Sequence, residues 1–449
     1  MVVILSEAQQ NAFEKYEQGE NVFITGPGGS GKTALIRYIV ENAKEHGKVL
    51  NVCALTGTAA VLLQCNAKTV HSWAGIGLGN GDNLSVANKV NKSKYKKKNW
   101  VDVDILIIDE VSMMSLKLFE LLNMTAKLCR KSVKLFGGIQ VIFTGDFYQL
   151  PPVPTYNIPE TAQFCFESPL WNKLFPNQLQ LTKIFRQNDN AYKKILNQIR
   201  VGRITQSTLT ILKGYVGRVR DINSTILPTI LYPTRKKVEH INLQSLSTLS
   251  GKESSYDVSK CKIADITTLT KEQIEYGSTF SDEQKEYEYN YMMTNINFDN
   301  NLTLKIGAQV MCIVNKDLES STPICNGSQG IIEKIDELDG LPIVRFNNGV
   351  VMKVAPHIWI SEKIPTVAVK QIPLILAWAI TIHKSQGASL DMAEIDIGEG
   401  IFECGQTYVA LSRLNSIDGL YLKSFEPSRI IIHTKVRDFY DNLNKVKCP

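Results

Sequence analysis

The chain has 449 residues, of which 44% are apolar and 21% charged, and its formal net charge is +6. This length allows two or more domains with sizeable cores, and the mild positive charge suits an anionic partner such as nucleic acid. The nine cysteines include no C-x-x-C pair, which disfavours a zinc site and predicts reduced thiols inside a cell. No targeting signal and no membrane-spanning apolar run is visible, so we expect a protein of the cytoplasm or nucleus.

Strands and helices alternate through the first third of the chain. Apolar, β-rich runs predict strands at 21–25, 49–56, 104–109 and 139–146, with a helix after the first of them. Nearly continuous apolar strands separated by helices are typical of a parallel sheet that is covered on both faces. Ligands of such sheets bind at the carboxyl ends of the strands, which is where the unusual residues of this sequence fall.

The segment GPGGSGKT at 26–33 matches the phosphate-binding pattern G-x-x-x-x-G-K-[ST] between a predicted strand and a predicted helix. Lys32 is expected to reach the β- and γ-phosphates of ATP, and Thr33 to bind Mg²⁺. A chance glycine-rich loop is the alternative, and the flanking strand and helix argue against it. The remaining residues expected around the phosphates are Gly26, Gly28, Gly29, Ser30 and Gly31.

Two acidic residues follow the third predicted strand. Asp109 closes the run ILIID, and Glu110 comes directly after it. Asp109 can bind Mg²⁺, and Glu110 can orient or deprotonate the attacking water. Alone, the pair would fit two solvated carboxylates at the start of a helix. The phosphate-binding loop upstream favours the catalytic interpretation.

The fourth predicted strand ends in GDFYQLPPV at 145–153. Asp146 and Gln149 are therefore expected at the same edge of the sheet as the phosphates. The Gln149 amide can hydrogen-bond the γ-phosphate or the attacking water, which would suit a motor that converts hydrolysis into movement. An ordinary turn with polar residues is the alternative interpretation.

The ordered set of motifs resembles the helicases of superfamily 1, subgroup B, and most of all the PIF (petite integration frequency) family, with RecD-like and Dda-like helicases as relatives. The resemblance covers nearly the whole chain. The segments that carry it are LSEAQ (5–9), GPGGSGKT (26–33), TGTAA (56–60), TVHSW (69–73), LIIDEVSMM (106–114), TGDFYQLPPV (144–153), LTKIFRQ (181–187), AITIHKSQGASLD (379–391) and GQTYVALSRL (405–414).

The resemblance also implies roles for single residues. Gln9 is similar to the glutamine that recognises adenine, while Arg186 and Arg413 resemble two arginines that meet the γ-phosphate, where a guanidinium can stabilise developing charge. Surface ion pairs are the alternative for both arginines. Gln386 and Gly387 could face the nucleotide. The motif positions near the DNA strand are Thr56, Thr58, His71, Thr381, His383 and Lys384.

The implied fold is α/β, with two RecA-like P-loop motor domains at about 1–185 and 186–449 and ATP in the cleft between them. The first domain carries an insertion at about 76–100, where this family has a wedge that separates duplexes. Its Tyr95 and Trp100 suit base stacking, and a solvated loop is the alternative. The lysines of the insertion, which suit phosphate contact, are Lys89, Lys92, Lys94, Lys96, Lys97 and Lys98.

A second insertion at about 300–370 is predicted from four short β-rich runs. The tripeptide NNG at 347–349 signals a tight hairpin, and Gly330 and Gly340 are expected in further turns. These features predict a small antiparallel barrel, which the resemblance makes Src-homology-3-like. The polar segment 250–300 is expected to be a mobile lead-in to it.

The favoured function is an ATP-driven DNA helicase that moves 5′ to 3′, a direction implied by the resemblance. The expected partners of the helicase are single-stranded and forked duplex DNA. We expect the protein to act as a monomer without binding membranes, and other replication or repair proteins are possible partners. One alternative is the same motor acting on RNA or RNA–DNA hybrids, which contacts to the 2′-hydroxyl would decide. Another is a nucleic-acid-stimulated ATPase switch that does not separate strands.

Overall fold

The computed structural model describes residues 5–445 except for 64, 66, 78, 80, 188, 220–226, 267–268, 297, 315–323, 325, 362–363, 383–384, 387–388 and 391. Within these ranges, no helix is long and apolar enough to cross a membrane. The chain forms two compact units. The first comprises Met1–Lys213, Ile397–Ile417 and Phe425–Pro449, and the second Gly214–Asp396 and Asp418–Ser424. The motor-domain boundary at 185/186 stays a prediction.

Helices and strands largely alternate in the first part of the chain, whereas strands follow one another directly between residues 301 and 397. Up to residue 214 the helices and strands are α1 (Glu7–Glu17), β1 (Val22–Thr25), α2 (Lys32–Glu45), β2 (Leu50–Ala54), α3 (Gly57–Leu63), β3 (Lys68–Thr69), α4 (Val70–Ala74), α5 (Asn83–Lys92), α6 (Lys94–Asp102), β4 (Ile105–Asp109), α7 (Leu116–Arg130), β5 (Gln140–Gly145), α8 (Trp171–Leu174), β6 (Asn177–Gln180), α9 (Asn190–Val201) and α10 (Gln206–Gly214). Then follow β7 (Thr229–Tyr232), α11 (Arg235–Thr248), β8 (Ser254–Asp257), β9 (Ser259–Lys260), α12 (Lys271–Ser278), α13 (Asp282–Asn295), β10 (Asn301–Leu304), β11 (Gln309–Cys312), β12 (Gln329–Ile335), β13 (Pro342–Phe346), β14 (Val351–Lys353), β15 (His357–Ile360), β16 (Ala368–Gln371), β17 (Leu374–Leu376), β18 (Ala379–Thr381) and β19 (Ala393–Ile397). The last elements are α14 (Gln406–Leu411), β20 (Leu420–Phe425) and α15 (Thr434–Lys445).

The first unit is built on a six-stranded sheet in the order β3-β2-β4-β5-β1-β6, and its paired strands are all parallel. The four strands predicted from apolar runs are confirmed as β1, β2, β4 and β5. Successive residues of a strand face opposite sides of a sheet. Accordingly Ile24 and Ile107 belong to one apolar cluster, and Phe23 and Ile108 belong to another. The sheet therefore has a core on each face, which is the α/β layering expected from the sequence.

The second unit contains a four-stranded sheet in the order β18-β7-β19-β20, in which β7 pairs in parallel with β18 and β19. Its insertion forms an antiparallel sheet in the order β14-β13-β12-β11-β17. The NNG hairpin is confirmed, since it joins β13 to β14 and Gly349 has a φ of +82°. That this insertion closes into a Src-homology-3-like barrel stays a prediction.

Two expectations for the second unit were wrong. Gly330 lies inside β12, not in a turn, and a Cβ atom there would approach the Arg345 carbonyl oxygen to 2.8 Å. The segment 250–300 contains β8, β9, α12 and α13 where we expected a mobile lead-in. Each of these helices begins with a capping box, and the buried Glu288 on α13 accepts a hydrogen bond of 2.7 Å from Ser361. Capping, the pairing of β8 and β9 with other strands, and buried side chains such as Ile266 and Met292 thus order a segment whose apolar periodicity is weak.

The insertion at 76–100 folds as α5 and α6, and the structure contradicts the expected base-stacking role of Trp100. This side chain is 0% exposed, its ring lies 4.7 Å from that of Trp73, and its indole N–H donates to the Ala74 carbonyl at 3.0 Å. Trp100 is therefore a core residue. Tyr95, by contrast, remains 39% exposed on the same helix.

We expect Trp100→Ala to lower the free energy of unfolding of the first unit by about 3–5 kcal/mol, because it empties a packed site and removes an indole hydrogen bond. The matched variant Tyr95→Ala should cost about 1 kcal/mol or less, because its ring is partly in water. A urea titration followed by circular dichroism compares the two variants. Equal losses, or weaker DNA binding by Trp100→Ala without any loss of stability, would contradict the assignment to the core.

Candidate active site

The predicted phosphate-binding loop connects β1 to α2 at the carboxyl edge of the six-stranded sheet. Gly29 and Gly31 have φ angles of +79° and +83°, which residues with a Cβ atom rarely adopt. The loop is also closely surrounded. A Cβ atom on Gly29 would lie 2.5 Å from that of Arg186, and one on Gly31 would lie 2.7 Å from the Gln9 amide nitrogen. Conformation and close approach both explain why glycine stands at these positions.

The Lys32 ammonium folds back over the loop. It donates to the carbonyl oxygens of Gly26 at 2.7 Å and Pro27 at 3.1 Å. Burial lowers the pKa of Lys32, and the carboxylates of Asp146 and Glu110 oppose this shift. Lys32 is thus a cation held by weak neutral acceptors, and an anion bound in the loop would be a stronger partner for it.

Asp109 and Glu110 lie at the end of β4. Asp109 accepts hydrogen bonds on Oδ1 from the Thr144 hydroxyl and, at 2.9 Å, from the Glu110 N–H. Glu110 has a φ of +56° and a ψ of +40°, a left-handed conformation that costs a non-glycine residue free energy. Burial, and next the charge of Asp109, raise the pKa of Glu110 to about 7. A carboxylate with such a pKa can exchange a proton with water near neutral pH.

Arg186 lies beside the phosphate-binding loop, and Arg413 contacts Ser412, which lies near Gly28. The Arg186 guanidinium donates to the Ser412 carbonyl at 3.5 Å, and Arg413 donates from Nη2 to the Ser412 hydroxyl at 2.8 Å. Arg413 is only 2% exposed, and burial, followed by the positive charge of Arg186, lowers its pKa to about 10. Across the described ranges, neither arginine forms an ion pair with a carboxylate. Two cations held close together in a buried site favour an anion between them.

Gln149 lies in the loop after β5 and is only 4% exposed. Its backbone N–H donates to the Asp146 carbonyl at 2.9 Å, which closes a turn. Its side-chain oxygen Oε1 is buried and has no hydrogen-bond partner among the residues that the structure describes. A buried amide oxygen without a protein partner is costly unless a water or a ligand supplies one.

The carboxylate of Asp146 does not face solvent, and its partner was not predicted from the sequence. Arg200 on α9 donates two hydrogen bonds of 2.8 Å to it, one to each oxygen. The residue spacing along α9 indicates that Arg200 is buried and therefore needs a charged partner. Tyr192, Leu196 and Arg200 are spaced by four residues and fall on the buried stripe of α9, where a charged side chain needs a partner.

A second missed residue is Tyr440 on α15. Its ring stacks on that of Tyr148 with the centroids 4.6 Å apart, and the Arg200 guanidinium lies within 5.2 Å of the centre of each ring. The Tyr440 hydroxyl contacts Asp146 at 3.2 Å and the Thr25 hydroxyl at 2.5 Å, at the end of β1. It therefore links the strand before the phosphate-binding loop to the loop that carries Gln149.

A third missed residue is Tyr408 on α14, within the segment GQTYVALSRL. It is 2% exposed, and its hydroxyl oxygen accepts a hydrogen bond of 2.9 Å from the Gly28 N–H. Burial raises the pKa of Tyr408 far above its ordinary value, so the phenol is neutral at physiological pH. The segment resembled a family motif, but only its arginine was assigned a role.

Gln9 lies beside the loop, as expected for a residue near the nucleotide. Its amide nitrogen donates to the Gly31 carbonyl at 3.1 Å, and its amide oxygen accepts from the backbone N–H and the hydroxyl of Ser6, both at 2.9 Å. The same side chain thus caps α1 and supports the loop. Recognition of adenine by Gln9 stays a prediction.

Three of the predicted DNA-binding residues lie in the first unit. The Thr56 hydroxyl accepts the Ala59 N–H at 3.2 Å and so caps α3, on which Thr58 also lies. His71 is half-buried, and burial lowers its pKa, so its ring is neutral near pH 7. It lines a groove of about 200 Å³ together with Met113 and Val153.

Other predicted residues belong to the second unit. Thr381 ends β18, and both it and Gln386 are buried there. The positions of His383, Lys384 and Gly387 lie outside the described residues. The roles of all these residues stay predictions.

The sequence matches a known family and several named proteins. The model of the family "PIF1-like helicase" matches residues 4–210. The ATP-dependent DNA helicase PIF1 of Emericella nidulans is 32% identical over 95% of this chain and 61% of its own length. The ATP-dependent DNA helicase RRM3 of Saccharomyces cerevisiae is 30% identical over 99% of this chain and 68% of its own length. The chain thus spans about two thirds of these relatives.

Solved structures are similar over nearly the whole chain. The Pif1 helicase of Candida albicans has a TM-score of 0.79 and 33% identity, and the match covers 98% of this chain and 100% of that one. The Bacteroides Pif1 helicase in complex with ADP-AlF3 and single-stranded DNA has a TM-score of 0.67 and 28% identity, covering 100% and 99%. A structure of two coordinating Pif1 helicases at forked double-stranded DNA has a TM-score of 0.67 and 29% identity, covering 99% and 98%. With this fold and this set of motifs, the chain belongs to the PIF1-like helicase family.

Proposed function

We propose that this protein is an ATP-dependent DNA helicase that moves 5′ to 3′ along single-stranded DNA and unwinds duplexes by coupling ATP hydrolysis to strand movement between two motor domains. The observation that carries the proposal is that Lys32 and Arg186 contact one glycine-rich loop and that Arg186 and Arg413 both reach Ser412 beside it. Relatives named ATP-dependent DNA helicases and similar structures with ADP-AlF3 and DNA support it. The direction of movement rests on the resemblance of the motifs.

In the proposed reaction, the loop amides and Lys32 bind the phosphates of ATP. Glu110 accepts a proton from the water that attacks the γ-phosphate, a role that suits its raised pKa. Arg186 and Arg413 stabilise the charge that develops on the transferred group. The repulsion between the two guanidiniums falls when that charge lies between them, so the site favours the transition state.

The residues at this edge of the sheet also fit Mg²⁺. Thr33 and Asp109 offer the hard oxygen ligands that this ion prefers, and both hydrogen bonds that Asp109 accepts end on Oδ1. Among the described residues, no group of three or more His, Cys, Asp or Glu side chains could hold a metal by itself. Mg²⁺ would neutralise phosphate charge, and phosphate oxygens and water would supply its remaining ligands.

Glu110→Gln should abolish hydrolysis while ATP binding persists, because the loop and Lys32 still hold the phosphates. Lys32→Ala should weaken ATP binding as well, because it removes the main cation of the loop. ATPase rates and the binding of a non-hydrolysable ATP analogue distinguish the two effects. Glu120→Gln, on α7 away from the loop, is the matched control and should keep its ATPase rate. Turnover near the wild-type rate in either site variant would refute the assignment.

Gln149→Ala should spare nucleotide binding and single-strand binding but reduce the stimulation of ATPase by DNA, and it should reduce unwinding more than basal ATPase. The reason is that Oε1, which has no partner among the described residues, can accept a hydrogen bond from the attacking water, whereas Asp146 and Arg200 hold the loop itself. Gln140→Ala, at the other end of β5, controls for loss of an amide. If nucleotide binding collapses, Gln149 is a ligand in the pocket; if coupling survives intact, its loop is an ordinary turn.

The lysines of α5 and α6 provide a test of DNA contact. Lys92, Lys94 and Lys98 are exposed, whereas the stem of Lys96 packs near Gly75. Each exposed lysine that meets a phosphate should contribute about 0.7 to the slope of log affinity against log salt for a single strand. Replacing all three with Gln should therefore flatten the slope. The matched control replaces Lys44, Lys48 and Lys134 with Gln, so that both variants have the same net charge. Equal slopes for the two variants would mean that the lysines of α5 and α6 are only solvated and do not contact DNA.

The alternative functions are separated by one set of assays on the wild-type protein. ATPase rates are compared with single-stranded DNA, with RNA and without nucleic acid, and unwinding is measured on forked duplexes of both polarities. Unwinding of DNA from a 5′ overhang supports the proposal. Stimulation by RNA alone would favour the RNA motor, and stimulation without unwinding would favour the switch. The expected monomer stays a prediction, since one related structure describes two coordinating helicases at a fork.

A further inference from the structure

Tyr408 places a side-chain hydroxyl against the phosphate-binding loop. The hydroxyl oxygen accepts the Gly28 N–H at 2.9 Å, and the ring is buried. Amide groups of such loops normally bind phosphate oxygens. The phenol oxygen therefore makes the kind of contact that a phosphate oxygen makes.

The surroundings of Tyr408 indicate which phosphate it would meet. A Cβ atom on Gly28 would lie 3.7 Å from the Tyr408 hydroxyl and 3.7 Å from the Ser412 side chain, to which Arg413 donates. Arg186 donates to the Ser412 carbonyl at 3.5 Å, so both arginines contact the residue that lies beside Gly28 and the phenol. The hydroxyl thus lies beside the residue that both arginines contact, on the side of the loop where the proposed function requires the γ-phosphate.

The hydrogen bonding of the phenol is incomplete. Among the residues that the structure describes, the Tyr408 oxygen acts as an acceptor and its proton is given to no protein group. A buried hydroxyl that only accepts retains an unused donor. A phosphate oxygen is a strong acceptor for that proton.

We propose that Tyr408 is a γ-phosphate-binding residue that makes the site prefer ATP over ADP. When ATP binds, the Gly28 N–H passes from the phenol oxygen to the nucleotide, and the Tyr408 hydroxyl donates to a γ-phosphate oxygen. ADP lacks this acceptor, so the phenol remains on Gly28. The inference rests on the proposed function, because it requires that the loop binds ATP.

The test compares Tyr408→Phe with the wild type, using calorimetric titration of the full chain with ADP and with a non-hydrolysable ATP analogue in the presence of Mg²⁺. The variant keeps the ring and removes the hydroxyl. We expect affinity for the ATP analogue to fall about 10-fold, the scale of one hydrogen bond to a charged group, while affinity for ADP changes less than about twofold.

Tyr192→Phe is the matched control. Tyr192 is also a buried tyrosine packed against α14, but its hydroxyl donates to the Leu411 carbonyl at 2.7 Å and not to the loop. This variant should bind both nucleotides as the wild type does. A melting curve of each variant shows whether the fold is retained, and an ATP-to-ADP affinity ratio is meaningful even for a partly destabilised protein.

Three results would overturn the inference. Unchanged affinities would make the phenol a bystander, equal losses for both nucleotides would make it a structural support, and equal gains would make it only a competitor for the Gly28 amide. A different result, in which the wild type binds neither nucleotide, would refute the proposed function itself.

Discussion

The buried ion pair between Asp146 and Arg200 is the contact on which the candidate site depends. Taking two charges out of water is unfavourable unless their geometry is good and further hydrogen bonds complete it. Here two bonds of 2.8 Å join the groups, and Tyr440 and the Tyr148 N–H also contact the carboxylate. Removing either partner would leave a buried charge, at a cost of about 3–5 kcal/mol. The pair therefore fixes the end of β5 and, through the turn that follows, Gln149.

Around this fixed point the site contains more buried charge than its own residues neutralise. Glu110 is held in a left-handed conformation with a raised pKa, and Arg413 has a lowered one, since burial disfavours the charged form of each. A bound polyanion would bring the pKa of Arg413 back toward its ordinary value, and a bound cation would do the same for Glu110. Each charged group would then gain a partner of opposite charge. This is the electrostatic character of a site shaped for a bound ligand rather than for its own stability.

Some of this could be predicted from the sequence because its signals are local. The strands of the first sheet are continuous apolar runs, and the loop after β1 is defined by glycines whose φ angles a side chain would not allow. Tyr408 and Tyr440 could not be placed, because their partners are distant in sequence, and the buried stripe of α9 shows that Arg200 needs a partner but not which one. Trp100 was misassigned because a lysine-rich composition does not reveal which side of α6 packs on Trp73. The two helices in 250–300 were missed although their capping boxes, at Thr270 and Ser281, were visible.

The hydrogen bond between Thr25 and Tyr440 joins residues 415 positions apart. During synthesis on the ribosome, the strands of the first sheet emerge early, but the hydroxyl that joins Thr25 to Asp146 emerges only after the entire second unit. Until then the Thr25 hydroxyl and the Phe147 N–H, which donates to Tyr440 at 3.1 Å, lack this partner. Contacts this distant in sequence form late and leave partly folded chains exposed. A nascent chain of this protein would therefore complete its candidate nucleotide site among the last steps of folding.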